Sequence, residues 1–120
     1  MKVAILVEDQ YQVLEVWYPY LRLREEGIET VLVGTGKKRQ YLSKEGYPAE
    51  EELSIDKANA SDFDGVVIPG GYAPDILRRF EKVNKFVRDL DKNGRLIGAI
   101  CHAGWVLVAA GVLKGRKATC

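Results

Sequence analysis

The sequence predicts an α/β protein with a flavodoxin-like, doubly wound, mostly parallel sheet and helices on both faces. Three observations carry this prediction. Short apolar runs at residues 3–7, 30–33, 65–68 and 96–100 each read as strands, the first of them of the kind buried on both faces of a parallel sheet. Stretches with apolar residues at helical spacing lie between them, so strands and helices alternate. Glycines punctuate the ends of these segments, notably Gly27, Gly34, Gly36, Gly70, Gly71 and Gly94.

The first strand, Val-Ala-Ile-Leu-Val at 3–7, is continuous hydrocarbon. A helix follows over 13–26, where Val13, Val16, Trp17, Tyr20 and Leu23 recur on one face. Gly27 stands where a C-terminal cap belongs, and Pro19 predicts a kink or a break. The second strand, 30–33, closes at Gly34-Thr35-Gly36. Residues 37–60 are less regular. Gln40–Leu42 and Tyr47–Ala49 flank Lys44-Glu45-Gly46, a pattern that predicts a small hairpin. A core strand at 65–68 runs into Pro69-Gly70-Gly71, and a helix over 80–92 presents Phe80, Val83, Phe86, Val87 and Leu90. The strand 96–100 gives way to a helix from 102, and Arg116–Cys120 reads as the start of another strand.

Composition bounds the function. The 120 residues suit one α/β domain, and 47% hydrophobic with 29% charged residues is an ordinary globular balance. A net charge of +1 gives no basic stripe, so no nucleic-acid partner is expected. The Lys37-Lys38-Arg39 cluster reads as a solvated turn in preference to an anion site. No apolar run approaches the roughly 18–20 residues of a membrane span, and no signal-peptide pattern opens the chain. A cytoplasmic location without membrane attachment is expected. Cys101 and Cys120 do not make a disulfide framework, and with His102 the only histidine there is no zinc-site spacing. No metal or cofactor is expected.

The most informative residue is Cys101, where a buried strand turns into a helix. A thiol at such a turn is exposed and faces the positive helix end, which favours the thiolate. Gly98, Ala99, Ala103 and Gly104 permit the crowded backbone of a nucleophile elbow. His102, next in sequence, is the candidate general base. Gly70 and Gly71 follow a strand; they either make a tight turn or bring backbone N–H groups to an oxyanion, with Gly71 and His102 as the natural pair of donors. Glu15, on the first helix, is either an exposed carboxylate or a partly buried carboxyl group that stays protonated and donates a hydrogen bond to the thiolate. Asp75 follows Pro74 and is equally well read as the cap of a turn at 76–78. These segments all fall at the carboxyl ends of strands, where such sheets carry their sites.

Glu15, Tyr18-Pro19, Pro69-Gly70-Gly71, Ala73-Pro74-Asp75, Ala99-Ile100-Cys101-His102 and the Ala110–Arg116 run together resemble the PfpI-type intracellular cysteine proteases of the ThiJ/PfpI family. The resemblance spans essentially all 120 residues and places the fold beside class I glutamine amidotransferases. It implies Cys101 as nucleophile, Glu15 as its hydrogen-bonding partner and His102 as the histidine of that branch. It further implies that the carboxylate completing a triad comes from a neighbouring subunit. Asp75 matches that position, where Glu is common, so its reach is shorter. Dimers or hexameric rings are implied with it. Ala103-Gly104-Trp105 departs from the usual Gly-Pro after the histidine, and Trp105 alters the pocket wall. Family members continue beyond this chain through further strands and a helix. The expectation is therefore the N-terminal part of a longer domain, with Cys120 near the cavity.

The expected activity is hydrolysis of peptides through a Cys101 acyl-enzyme. The alternative is a glyoxalase or deglycase acting on 2-oxoaldehydes or their adducts, with Glu15 moving protons. A third reading is a non-enzymatic redox sensor or chaperone, since an exposed low-pKa thiol oxidises readily. An amidotransferase triad needs a histidine downstream of His102, and none occurs. A flavodoxin-like electron carrier needs a Gly-rich or hydroxyl-rich loop after the first strand, and that is missing too.

Overall fold

In the computed structural model, which describes residues 1–119, the apolar first strand is the middle of the sheet. This strand, β1 (Lys2–Leu6), is buried from Val3 onward because neighbours cover both its edges and both its faces. Helix α1 (Val13–Glu25) begins where the Gln12 side-chain oxygen accepts the Leu14 N–H at 3.3 Å, and leads into β2 (Glu29–Gly34). The predicted hairpin is present as β3 (Gln40–Leu42) and β4 (Pro48–Glu50), paired antiparallel outside the main sheet. β5 (Leu53–Ser54) and β6 (Gly65–Ile68) follow. Helices α2 (Ala73–Leu77) and α3 (Glu81–Lys92) come next, then β7 (Leu96–Ala99) and α4 (Gly104–Ala110).

The main sheet runs β5-β2-β1-β6-β7, and every pairing in it is parallel. Ile5 stands opposite Leu32 on one side and Val67 on the other. The chain steps from β1 to β2 in one direction and from β6 to β7 in the other. Right-handed crossovers therefore set α1 on one face and α3 on the opposite face. The α3 helix buries Val83, Phe86, Val87 and Leu90, the face its spacing predicts. The strand order reverses at β1 and β6, so their carboxyl ends open the crevice expected to hold a site.

Three local expectations are corrected. The α1 helix runs unbroken through Pro19, because loss of one N–H deprives only the Glu15 carbonyl while buried Val16 and Tyr20 hold the helix on the sheet. Asp75 is not a cap; it lies inside α2, and its side chain turns toward the following residues. Two-residue β5 has too short a pattern to be read from sequence. Residues 116–119 form no strand, and the expectation for Cys120 lies outside the described residues. Among the described residues β7 has no neighbour on its outer edge, and Leu96 and Ile100 are 70% and 53% exposed.

Leu6 is fully buried at the end of β1. Its replacement by Ala should destabilise the domain by about 2–5 kcal/mol in chemical unfolding, without altering the far-UV circular dichroism of the folded state.

Candidate active site

Cys101 opens a single 3₁₀ turn, Cys101–Ala103, between β7 and α4. Ile100 before it is extended, whereas Cys101 itself has φ 59, in the left-handed region. An L-residue there costs about 1–2 kcal/mol. Surrounding contacts enforce it: the Ile100 N–H donates to the Ile68 carbonyl at 3.4 Å, the Ala103 N–H returns to the Ile100 carbonyl at 3.0 Å, and Ala103 is fully buried. The thiol is free and exposed, as the strand-to-helix pattern predicts.

Glu15 and Gly70 meet Cys101 at one point. The Gly70 N–H donates to Glu15 Oε2 at 2.7 Å, tying the first turn of α1 to the loop after β6. A methyl group added to Gly70 would lie 2.5 Å from Cys101 Cβ, 2.6 Å from Glu15 Oε2 and 2.9 Å from Cys101 Sγ. Only glycine leaves room for thiol and carboxylate to converge here. The hydrogen bond from Glu15 to the cysteine implied by the family resemblance is not formed among the described residues, where the carboxylate takes the Gly70 N–H instead.

Gly71 has φ 75, and a methyl there would stand 2.4 Å from the Gln10 carbonyl oxygen. Glycine at 71 is thus required by both backbone and space. The N–H groups of Gly71 and His102 donate to no acceptor among the described residues, so both are available to a developing oxyanion. The His102 side chain is exposed and makes no hydrogen bond among them. An apolar groove lined by Leu14, Tyr18, Pro19, Val67 and Ile100 extends from Glu15.

Asp75 does not pair with His102 within the chain. Its Oδ1 accepts both Nε and Nη2 of Arg78, at 2.9 and 2.7 Å, and its Oδ2 accepts Arg79 at 2.6 Å. The Tyr72 hydroxyl, with the two guanidiniums, holds the Asp75 carboxyl down at about 2. Arg78 in turn stacks over the Trp105 ring at 4.6 Å. Sequence reading missed this cluster, although Asp75 with Arg78 and Arg79 at i+3 and i+4 is a recognisable helical pattern. Elsewhere, Lys38 of the basic cluster is paired with Asp9. Among the described residues no group of His, Cys, Asp and Glu side chains stands together as a metal site, and no helix is long and apolar enough to cross a membrane.

A parallel α/β sheet with an exposed cysteine at a strand-to-helix elbow defines a class of thiol-centred α/β proteins. The chain belongs to the DJ-1/PfpI family, whose model matches residues 1–120. It is 40% identical over 119 residues to Deglycase PfpI of Pyrococcus furiosus, covering 99% of this chain and 71% of that protein. It is 32% identical to Protein/nucleic acid deglycase 2 of Escherichia coli, covering 98% of this chain and 69% of that one. A crystal structure of a two-domain protein with DJ-1/ThiJ/PfpI-like and ferritin-like domains from Anabaena variabilis superposes with a TM-score of 0.93 at 37% identity. That match covers 97% of this chain and 34% of the other.

Two outcomes follow from this geometry. Gly70→Ala should fold yet slow alkylation of Cys101 at least about tenfold, because the added methyl forces the thiol or Glu15 to move; iodoacetamide labelling followed by mass spectrometry measures it. The depressed Asp75 value stabilises the fold at pH values above its ordinary 3.8 and loses that contribution as pH falls through about 2. The melting temperatures of wild type and Asp75→Asn should therefore differ at pH 6 and converge near pH 2.

Proposed function

We propose that this domain carries the chemistry of a deglycase, releasing amines from adducts of 2-oxoaldehydes, with Cys101 as nucleophile. The observation that carries this reading is the convergence of Cys101, Glu15 and Gly70 at the elbow, in a chain 40% identical to proteins named deglycases. The relatives' names favour this over the peptidase activity expected from the sequence. The chain spans about 71% of the length of those relatives.

The thiolate displaces the amine from the carbinolamine carbon, forming a hemithioacetal, and the amine takes up a proton. Glu15 then moves a proton from that carbon to the neighbouring carbonyl carbon through an enediol, giving a thioester isomeric with the hemithioacetal. The N–H groups of Gly71 and His102, without acceptors among the described residues, are the donors assigned to the charge that develops on oxygen. Water cleaves the thioester, releasing a 2-hydroxy acid and the thiol. The sum is adduct plus water giving amine plus hydroxy acid, with no external oxidant or reductant. A free 2-oxoaldehyde enters the same sequence by adding directly to the thiolate.

Methylglyoxal adducts and a fluorogenic peptide, assayed side by side, test the proposal. Cys101→Ala should abolish adduct turnover, and Glu15→Gln should reduce it by about 100-fold or more, the scale of a lost acid–base group. His102→Ala should stay within about tenfold. Peptide cleavage that depends on His102, with no adduct turnover, would restore the peptidase reading.

A further inference from the structure

Two residues other than glycine adopt left-handed backbone among the described residues: Cys101 and Gln10, the latter at φ 65. The chemistry above gives Gln10 no part. Its side chain is exposed on the loop after β1, yet its backbone is engaged in both directions. The Gln10 N–H donates to the Leu42 carbonyl of the hairpin at 2.7 Å, and its carbonyl accepts the Tyr72 N–H at 2.8 Å. Neighbouring residues extend this strap. Tyr11 bridges to Ser43 on one side and Gly71 on the other, and its carbonyl accepts the Lys44 N–H at 3.0 Å. Its buried hydroxyl donates to the Tyr47 carbonyl at 2.7 Å and accepts the Trp17 indole N–H at 3.1 Å. The Gln12 N–H donates to the Gly70 carbonyl at 3.3 Å.

The loop 70–72 is thereby fixed at three polar groups. The Gly70 N–H goes to Glu15, the Gly70 carbonyl to Gln12 and the Tyr72 N–H to Gln10. The Gly71 N–H is the donor of this loop left without an acceptor among the described residues. We infer that Gln10 is a positioning residue: its left-handed backbone turns its carbonyl onto Tyr72 and so aims the Gly71 N–H at the reacting centre. The angles φ and ψ together set the carbonyl direction relative to the residue's own N–H. With that N–H held by Leu42, an ordinary negative φ would swing the carbonyl off Tyr72. Strain of this kind persists only where surrounding bonds over-determine it, and here the hairpin and the Gly70–Tyr72 loop do so. The inference rests on Cys101 acting on a carbonyl, as proposed above.

The test compares substitutions that accept left-handed backbone, Gln10→Gly and Gln10→Asn, with one that resists it, Gln10→Ile. Gln10→Thr serves if Gln10→Ile does not fold. Loss of one oxyanion donor typically costs about 100–1,000-fold, so displacing one should lower kcat at least about tenfold in the β-branched variants, with KM within about twofold. Gly and Asn variants should keep kcat within about threefold. Iodoacetamide should label Cys101 at the wild-type rate in all of them. Amide hydrogen exchange at Tyr72 should be protected in wild type, Gly and Asn and unprotected in the β-branched variants. Wild-type kcat or retained Tyr72 protection in the β-branched variants overturns the inference. So does an equal fall in the Gly variant, which would assign the effect to the side chain. If wild type turns over no carbonyl substrate, the functional reading fails, while Tyr72 exchange still decides the role of Gln10.

Discussion

Everything at the centre of this protein depends on the space above Gly70. Three segments distant in sequence meet there: the first turn of α1 through Glu15, the loop after β6 and the elbow after β7. The Gly70 N–H takes the Glu15 carboxylate, and the missing side chain lets Cys101 approach from the other side. A single methyl would force the thiol or the carboxylate to move from this meeting point. The parallel sheet supplies the rigidity that makes this meeting reproducible, since its strands deliver their carboxyl ends to one edge.

The backbone strain in the domain is concentrated around this point. Cys101 and Gln10 are the non-glycine residues in the left-handed region, and both abut the 70–72 loop, one through its side chain and one through its carbonyl. The hairpin β3–β4, which lies outside the main sheet, acquires a purpose from this. It grips residues 10 and 11 from the side opposite the loop, so the segment between β1 and α1 cannot relax. Buried Tyr11 anchors that segment, and the edge-on contact of Trp17 with Tyr47 ties the hairpin to α1. Local instability is offset by packing elsewhere, as expected where geometry must be held for chemistry.

Asp75 sits in a charged cluster within the chain. The resemblance gives it to a histidine across a subunit boundary. In the folded chain it belongs to Arg78 and Arg79, and through Arg78 to the face of Trp105. Two close guanidiniums and the Tyr72 hydroxyl keep it ionised to about pH 2. The same cluster brings Trp105, the residue that departs from the usual pattern after the histidine, under a cation on the helix that packs beside the elbow.

The sequence by itself determined the order of elements, the parallel sheet, the hairpin and the placing of Cys101, Glu15 and Gly70–Gly71 at strand ends. Hydrophobic periodicity and glycine punctuation report burial and turns, and both are local properties of the chain. It misjudged Pro19, because packing of Val16 and Tyr20 outweighs one lost hydrogen bond. It could not reveal β5, whose two residues carry no pattern, whereas the pairing of Asp75 with Arg78 and Arg79 was legible in their helical spacing and was missed. Only the tertiary structure decided that Glu15 binds the Gly70 N–H, that Gly71 keeps a free donor and that Gln10 is left-handed. Nothing in the identity of a glutamine encodes a positive φ. The Leu42 carbonyl on one side and the Tyr72 N–H on the other impose it, and those groups meet only after the chain has folded.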